Sequence, residues 1–252
     1  MYTKEVEIKR IRIGEHGNER DLVAKDIAFC IFINGVPFKT LIASPDKLRE
    51  LALGHIFTEG IITNLNELIS IDIKEFKADI ELQEELDLIE SEFLRNRLIT
   101  TACASNAGTV DSDIDKLRIT EKRDYEAEVI FEAVSSLNKM SKVFLKTGGT
   151  HSALLINPDG SRYSHAEDVG RHNAIDKVIG GGLLKSFNFK EFILCTSGRL
   201  SSEMVLKAAR AKVPVVCSIS APLVSGINVA ERTGITLYGF VRGRRLNKYT
   251  GL

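Results

Sequence analysis

The sequence predicts an α/β protein whose N-terminal part is of the α+β type, and three observations support that prediction. Short apolar segments at residues 192–195 and 213–218 are typical of strands that are buried on both faces of a sheet. A segment of helical periodicity separates them, with Met204, Val205 and Ala208 on one face. Helices and buried strands alternate to the end of the chain. This order predicts a mixed sheet flanked by helices on both faces, with parallel pairs at its C-terminal end.

Length and composition leave room for one large domain or two modest ones. The chain has 252 residues, of which 44% are hydrophobic and 27% charged, as in an ordinary globular protein. A charged segment at residues 121–124 marks the predicted division. We therefore predict a β-rich and helical part at residues 1–122 and an α/β domain at residues 123–252.

Charge and cysteine usage argue against several classes of protein. The formal net charge is zero, so the overall balance does not indicate binding to nucleic acid or to a membrane surface. The charged N-terminus is unlike a secretory signal, and no apolar run approaches the ~20 residues that span a bilayer. The four cysteines lack the spacing of a metal or disulfide site, which predicts a cytoplasmic protein with reduced thiols. Cys30, Cys195 and Cys217 lie in apolar segments and are predicted to be small core residues.

The N-terminal part begins with strand and hairpin signals. Residues 6–13 alternate with one slip and predict an opening strand. Residues 26–33 predict a buried strand that is closed by Asn34-Gly35, a strong hairpin signal, and followed by a return strand at residues 38–42.

A helix and a less regular region follow. Pro45 predicts the first helical position, and the helix ends near Gly60 with Leu48 and Ile56 on its buried side. Residues 70–95 predict strands followed by a helix.

Residues 100–109 (TTACASNAGT) differ from the rest of the chain. Small and polar side chains without a large apolar group predict a mobile loop around Cys103. An exposed thiol is reactive, although an incidental cysteine is the alternative. Because no Lys or Arg lies between Arg97 and Lys116, any group that lowers the pKa of this thiol must come from elsewhere in the fold.

The second half has a more regular pattern. It predicts a helix at residues 129–134, strands at 143–145 and 151–157 around a turn, and a hairpin turn at 158–160. A last helix at residues 227–233 stops before a final strand at 235–241.

Residues 164–182 (SHAEDVGRHNAIDKVIGGG) combine charge with a helix. Ala174, Ile175, Val178 and Ile179 fall on one helical face, and the glycines at 180–182 predict the helix stop. Five ionisable side chains in eight positions precede this face: His165, Glu167, Asp168, Arg171 and His172. Charges of both signs beside two histidines favour a site, and a well-capped surface helix is the alternative.

Three predicted turns have the chemistry of a binding site. Residues 196–199 (TSGR) follow a buried strand and precede a helix, where open α/β sheets bind ligands. Gly148 and Gly149 beside His151 would allow a close approach of a ligand, or form a plain turn. Residues 240–245 (FVRGRR) concentrate three arginines that suit a phosphate, with a solvated basic tail as the alternative. The chain has neither a Walker loop nor a GxGxxG motif.

Four long motifs in this order resemble the FdhD family of formate dehydrogenase accessory sulfurtransferases. They read TGGTHSALL at 147–155, EDVGRHNAIDKVIG at 167–180, TSGRLSSEMVLKAA at 196–209 and GFVRGRRLNKYT at 239–250. Two N-terminal segments, NGVPFKTLIASP at 34–45 and LRELALGHIFTEGII at 48–62, are similar to the same family.

The resemblance implies a sulfur carrier and its cargo. Such a protein receives sulfur from a cysteine desulfurase as a persulfide, carried here by Cys103. It passes the sulfur to the molybdenum or tungsten bis(molybdopterin guanine dinucleotide) cofactor that is destined for the catalytic subunit of formate dehydrogenase. The resemblance also implies a fold similar to cytidine deaminases in the C-terminal part and a homodimer. We expect no metal bound by protein ligands, and the neutral charge balance predicts neither a nucleic acid nor a membrane as a partner.

The resemblance further implies which residues bind the cofactor. The family contacts it through the segment that is here Phe240, Val241, Arg242, Gly243, Arg244 and Arg245. Side chains in the other motifs are expected to line guanine-nucleotide pockets: Gly148, His151, Asp168, Arg171, His172 and Arg199.

One departure from the family leaves two functions open. The family loop reads Cys-x-x-Cys, whereas Cys103 is followed by Asn106 at the second position. A single thiol can carry a persulfide but cannot form an internal disulfide, so a cofactor chaperone without sulfur transfer is the alternative.

A zinc nucleobase deaminase is a third interpretation. His165-Ala166-Glu167 at a helix start is similar to its H-x-E signature. However, only Cys195 stands near the position of its Pro-Cys-x-x-Cys pair, so a zinc site would lack a ligand.

Overall fold

The computed structural model describes residues 2–83, 111–121 and 123–251. The predicted loop at 100–109, with Cys103 and Asn106, lies outside the described residues, as does the helix predicted towards residue 95. The strands are β1 (Thr3–Arg12), β2 (Glu15–Ala24), β3 (Ile27–Ile33), β4 (Val36–Ala43), β5 (Leu68–Lys74), β6 (Lys77–Leu82), β7 (His151–Ile156), β8 (Tyr163–Asp168), β9 (Ile193–Thr196), β10 (Val215–Ser218), β11 (Thr236–Arg242) and β12 (Arg245–Lys248). The helices are α1 (Leu48–Thr58), α2 (Asp111–Lys116), α3 (Ala127–Met140), α4 (Lys142–Thr147), α5 (Arg171–Leu184), α6 (Ser202–Arg210) and α7 (Val224–Thr233).

The C-terminal part is built on a six-stranded mixed sheet in the order β12-β11-β10-β9-β7-β8. Strands β9, β10 and β11 are parallel, and the other pairs are antiparallel. Helix α3 packs Ile130 and Leu137 against one face. Helices α5, α6 and α7 cover the other, with Val178 and Val205 in its core. The predicted α/β class, the covered sheet and the parallel C-terminal pairs are confirmed.

The N-terminal part contributes a four-stranded sheet in the order β4-β3-β6-β5. Asn34 and Gly35 adopt φ angles of 49° and 81°, so the predicted hairpin turn between β3 and β4 is confirmed. Helix α1 lies between this sheet and α5, and Leu51 and Ile56 share one hydrophobic core with the α5 residue Val178. The division at residue 122 stays a prediction.

The glycines of α5 are contact residues rather than a helix stop, so that part of the sequence prediction is wrong. Helix α5 continues through them to Leu184. A Cβ atom at Gly180 would lie 2.0 Å from the carbonyl oxygen of Glu50 in α1. One at Gly54 would lie 1.8 Å from the carbonyl oxygen of Asp176. The two helix backbones therefore touch, which only glycine permits at these positions.

Two further local predictions, one for residues 143–145 and one for the start of α1, are wrong. Residues 143–145 lie in α4 instead of a strand, since the Glu167 carboxylate accepts the backbone N–H groups of Val143 and Phe144 at the helix start. Helix α1 begins at Leu48 instead of Pro45, since Lys47 adopts a left-handed conformation with φ 49°.

The two ends of the chain add strands that the sequence pattern did not predict. The polar strand β2 pairs along its whole length with β1. Strand β12 returns antiparallel to β11, so the arginines at 242–245 form a hairpin turn instead of a tail. Cys195 and Cys217 are buried as predicted, whereas Cys30 is only half-buried. Within residues 2–83, 111–121 and 123–251, no helix has the length and apolar character needed to cross a membrane.

Candidate functional site

The topology of the six-stranded sheet brings the four sequence motifs to one edge. The parallel strands β9, β10 and β11 end there and lead into residues 197–201, residues 219–223 and the β11–β12 turn. Strand β7 begins at this edge and β8 ends at it, because His151 pairs with Asp168 in an antiparallel ladder. We term this side of the sheet, where the strands end or begin, the site edge. It is formed by residues 148–151, 168–172, 196–199 and 240–245.

His151 is held at the site edge by the turn that follows β9. Its Nδ1 lies 3.3 Å from Ser197 Oγ, which accepts the backbone N–H of Ser152 at 2.9 Å. The backbone N–H of Ser197 donates in return to the carbonyl of Ser152 at 2.9 Å. Burial lowers the pKa of His151, and the Arg171 guanidinium lowers it further, so the ring is neutral near pH 7.

Gly198 provides the space that Arg171 occupies. A Cβ atom at residue 198 would lie 3.0 Å from the Cβ and 3.1 Å from the Cδ of Arg171. Nε of Arg171 is buried and has no hydrogen-bond partner among the described residues. A guanidinium with an unpaired Nε–H beside a helix start is suited to an anionic ligand.

His172 and Arg199 complete the charged side chains here. Nε2 of His172 lies 3.0 Å from Oε2 of Glu203 in α6. Burial and the charges of Lys207 and Arg171 lower the pKa of His172, in spite of the acid beside it. Arg199 is exposed on the TSGR turn.

Asp168 is a structural anchor of the site edge. Its carboxylate is fully buried, with 0% of the residue exposed. Oδ1 accepts from the Gly170 N–H at 2.8 Å and from the Asn173 side chain at 2.9 Å. Oδ2 accepts from the Ser44 N–H at 2.9 Å and lies 2.7 Å from Nζ of Lys177. With both oxygens occupied, Asp168 fixes the turn that precedes Arg171, and its contact with the cofactor stays a prediction.

The β11–β12 turn presents arginines to solvent. Arg242, Arg244 and Arg245 are all exposed, and Nε of Arg242 donates to the Ile219 carbonyl at 2.9 Å. Phe240 has a left-handed φ of 53° at a bulge and donates its N–H to the carbonyl of Ser220. Two hydrogen bonds thus tie the turn to the loop after β10, and the concentrated positive charge favours phosphate groups.

The remaining predicted residues of the site edge have backbone roles. Val241 is buried against α3, so its backbone rather than its side chain belongs to the edge. Gly243 has φ 61° in the turn, and Gly148 has φ 64° where it ends α4. Both conformations favour glycine.

Three supporting residues were missed by the sequence analysis. Asn173 and Lys177 hold Asp168 from the helix α5 that follows it, and Ser44 holds it from the distant β4–α1 loop. The one available signal was a lysine at 177 between apolar helix positions, which is unusual unless the charge is paired.

The deaminase-like placement of His165-Ala166-Glu167 is wrong. These residues lie in strand β8 and not at a helix start, and Cys195 lies in β9. Strand β7 runs between β8 and β9, which separates His165 and Cys195 by two strand spacings of about 4.8 Å each. Two ligands so far apart cannot share a zinc ion with bonds of about 2.0–2.3 Å.

The fold is that of an α/β protein, and the site edge lies at the loops after its parallel strands, the usual position of binding sites in such folds. A sequence profile described as the FdhD/NarQ family matches residues 24–252. The chain therefore belongs to the FdhD/NarQ family.

Similar proteins match nearly the whole chain. A protein of Methanothermobacter thermautotrophicus named sulfur carrier protein FdhD is 37% identical, over 90% of this chain and 89% of its own length. A protein of the same name from Bacillus pumilus is 35% identical, over 96% and 94%. A crystal structure described as a formate dehydrogenase accessory protein from Desulfotalea psychrophila has a TM-score of 0.80 at 25% identity, over 100% of this chain and 98% of that one.

Proposed function

We propose that this chain is a sulfur carrier protein required for formate dehydrogenase, with Cys103 carrying the sulfur as a persulfide. Membership of the FdhD/NarQ family and relatives named sulfur carrier protein FdhD support the carrier role. The observation on which the site rests is the convergence of four motifs at one sheet edge. The role of Cys103 is inferred from the sequence.

The loading step is a thiol exchange. The Cys103 thiolate attacks the outer sulfur of a persulfide on a cysteine desulfurase, the donor S–S bond breaks, and the donor thiolate leaves. Cys103 then carries one additional sulfur atom. A small polar loop suits this step, because the thiol must reach both a donor and an acceptor.

In this chain, the unloading step needs a thiol from another molecule. Release of the outer sulfur as hydrosulfide requires a thiolate to attack Cys103 Sγ, which leaves a disulfide on Cys103. The family's second loop cysteine would serve, but Asn106 stands in its place. Cys195 and Cys217 are fully buried, and burial raises the pKa of Cys195 well above its usual range. Cys30 is half-buried in β3 and is tested by the Cys30→Ala variant below, so the reductant on this proposal is a thiol from outside the chain.

The acceptor is the molybdenum or tungsten bis(molybdopterin guanine dinucleotide) cofactor, bound as a substrate. Its phosphate groups suit the exposed arginines at 242–245, and Arg171 and Arg199 offer further positive charge beside His151. The partners on this proposal are a cysteine desulfurase, the catalytic subunit of formate dehydrogenase and a second copy of the chain.

A cofactor chaperone that never carries sulfur is the second candidate. The replacement of the second loop cysteine by Asn106 is the observation that favours it. In that case the site edge would bind and protect the cofactor, and Cys103 would have no covalent role.

Intact-protein mass tests the proposal, measured after brief incubation with a cysteine desulfurase and a limiting amount of cysteine, with no other thiol present and with cysteine removed before the measurement. We expect the wild type and a Cys30→Ala control to gain one sulfur atom, and Cys103→Ala to gain none. Subsequent addition of a small thiol should remove the sulfur as hydrosulfide. A wild type that gains no sulfur but binds guanine nucleotide would instead identify the chaperone.

A further inference from the structure

A cavity of about 200 Å³ lies beside the edge strand β8, away from the arginine turn. It is enclosed by the β4–α1 loop, β8 and the junction of α3 with α4. We term it the β8 cavity. Its ionisable lining residues are Tyr2, Asp46, Lys47, Lys142, His165 and Glu167, and Thr150 of the site edge also borders it.

The β8 cavity is a different place from the arginine turn of the site edge. Strand β8 is the outermost strand at one end of the strand order. The arginine turn joins β11 to β12, the outermost strand at the other end. Four strand spacings of about 4.8 Å separate β8 from β11, so the two places are about 19 Å apart. The arginines of the turn are therefore too far away to contact a group in the β8 cavity.

The two carboxylates of the cavity are already used to hold the fold. Asp46 lies 2.9 Å from Nζ of the buried Lys177. Glu167 accepts the N–H groups of Val143 at 2.9 Å and Phe144 at 2.7 Å, as well as the Thr150 hydroxyl at 3.2 Å. Neither acid is therefore a free ligand for a cation.

The cations of the cavity, in contrast, have donors to spare. Nζ of Lys47 donates to the carbonyl oxygen of His165, which uses one of its three protons. Lys142 is exposed and forms no ion pair within residues 2–83, 111–121 and 123–251. Two lysines thus line the cavity from different elements, Lys142 from α4 and Lys47 from the β4–α1 loop.

His165 adds a neutral hydrogen-bonding group. Burial and the charge of Lys47 lower its pKa to about 4, so the ring carries no charge near pH 7. Its Nε2 lies 3.0 Å from Ser152 Oγ. Ser152 also donates its N–H to Ser197, the residue that holds His151. A continuous set of contacts therefore joins the cavity to the site edge.

We propose that the β8 cavity binds a small anionic group, a phosphate or a carboxylate, between the ammonium groups of Lys47 and Lys142. The group has two possible sources, a free inorganic anion or the phosphate end of a guanine nucleotide. Lysine is a common partner of such oxygens, and a cavity of this size accepts one group of this kind. The inference does not rest on sulfur transfer by Cys103.

Titration of the full chain with inorganic phosphate, followed by ¹H–¹⁵N NMR, tests the proposal. We expect saturable shifts of the Val143, Thr150 and Ala166 amides in the wild type. The dissociation constant should rise about tenfold in Lys47→Met and in Lys142→Met. Lys146→Met is the matched control, since Lys146 is exposed on the same helix and does not line the cavity.

The outcomes distinguish the source of the anion and can overturn the site. Tighter binding of guanosine monophosphate than of phosphate at these amides would indicate the nucleotide, and equal binding would indicate a free anion. Identical titrations of wild type and all three variants, or shifts confined to residues 242–245, would overturn the proposal. Lys142→Met changes an exposed side chain, so the test remains valid even if Lys47→Met fails to fold.

Discussion

Two buried lysines form similar clusters in different parts of the molecule. Lys177 lies between Asp46 and Asp168, at 2.9 Å and 2.7 Å, and its side chain is 0% exposed. Lys207 lies between Glu59 and Asp176, at 2.9 Å and 2.8 Å, and its side chain is 5% exposed. Each lysine faces two carboxylates, so the chemistry of the two clusters is nearly the same.

The elements that they connect are different. Lys177 joins the β4–α1 loop to the turn before α5, and that turn leads directly to Arg171 and His172. Lys207 joins α6 to α5 and to the end of α1, with help from Thr58 and His55. The comparison teaches that one kind of ion cluster serves the site edge in one place and helix packing in the other.

The acids of the two clusters also titrate differently. Burial raises the pKa of Asp46, and Lys177 offsets this only in part. Burial opposes ionisation of Asp176 as well, but Lys207 and His55 more than compensate, so its pKa lies below its usual range. Although burial opposes the ionisation of Glu59, Lys207 and His55 likewise lower its pKa. The cations near Asp176 and Glu59 therefore outweigh the effect of burial on the pKa of these acids, whereas Lys177 does not do so for Asp46.

Removal of the Lys207 charge should have the largest effect. Lys207→Met leaves Asp176 and Glu59 without their cation, and breaking a buried pair by removing one partner costs about 3–5 kcal/mol of unfolding free energy. Urea denaturation measures this loss. Arg10→Gln, which removes an exposed pair with Glu19, is the control and should change stability by less than about 1 kcal/mol. Equal effects of both variants would contradict a structural role for burial of the Lys207 cluster.

Asp168→Asn should have a smaller effect on stability but a local effect on the site edge. Loss of hydrogen bonds to a charged carboxylate costs about 1.5–3 kcal/mol. Asn keeps one acceptor oxygen, and the NH2 group that replaces the other oxygen faces either the Gly170 and Asn173 donors or those of Ser44 and Lys177, so we expect NMR shift changes at the Arg171 and His172 amides. The Thr58 and Glu59 amides, near Lys207, serve as the internal control. Shifts spread evenly over both clusters would show that Asp168 does not act locally.

The pH dependence of stability should separate the clusters by its sign. A lowered pKa makes the unfolded state bind more protons, so Asp176 contributes stability above its usual pKa of about 4 that is lost as the pH falls below it. A raised pKa reverses the sign, so ionisation of Asp46 reduces stability as the pH rises just above about 4. Each slope is at most about 1.4 kcal/mol per pH unit for one group.

Denaturation curves of Asp176→Asn and Asp46→Asn between about pH 2 and 6 measure these slopes. Compared with the wild type, each variant should lose only the pH dependence of unfolding free energy that the replaced acid contributes. The same sign of change in both variants would contradict the difference between the clusters.

Several features were predictable from the sequence because their causes are local. The hairpin at Asn34-Gly35 follows from turn chemistry, and the buried strands β9 and β10 follow from short apolar runs. The stop of α7 at Gly234, with φ 77°, is likewise a local signal. The motifs that resemble the FdhD family could also be recognised in the sequence, since their order and length are specific.

The tertiary structure decided what depends on contacts between distant residues. Glu167 makes residues 143–145 helical, and the α1 backbone makes glycine necessary at residue 180 without ending α5. Pairing of β7 antiparallel to β9 brings His151 to Ser197, which no periodicity in either segment encodes. The buried partners of Lys177 lie in two other segments of the chain. The sequence by itself determined which elements form and which motifs they carry, because periodicity and turn chemistry act over a few residues. Only the fold determined which charges are buried and which motifs meet, because those outcomes require strand pairing and helix packing across the whole chain.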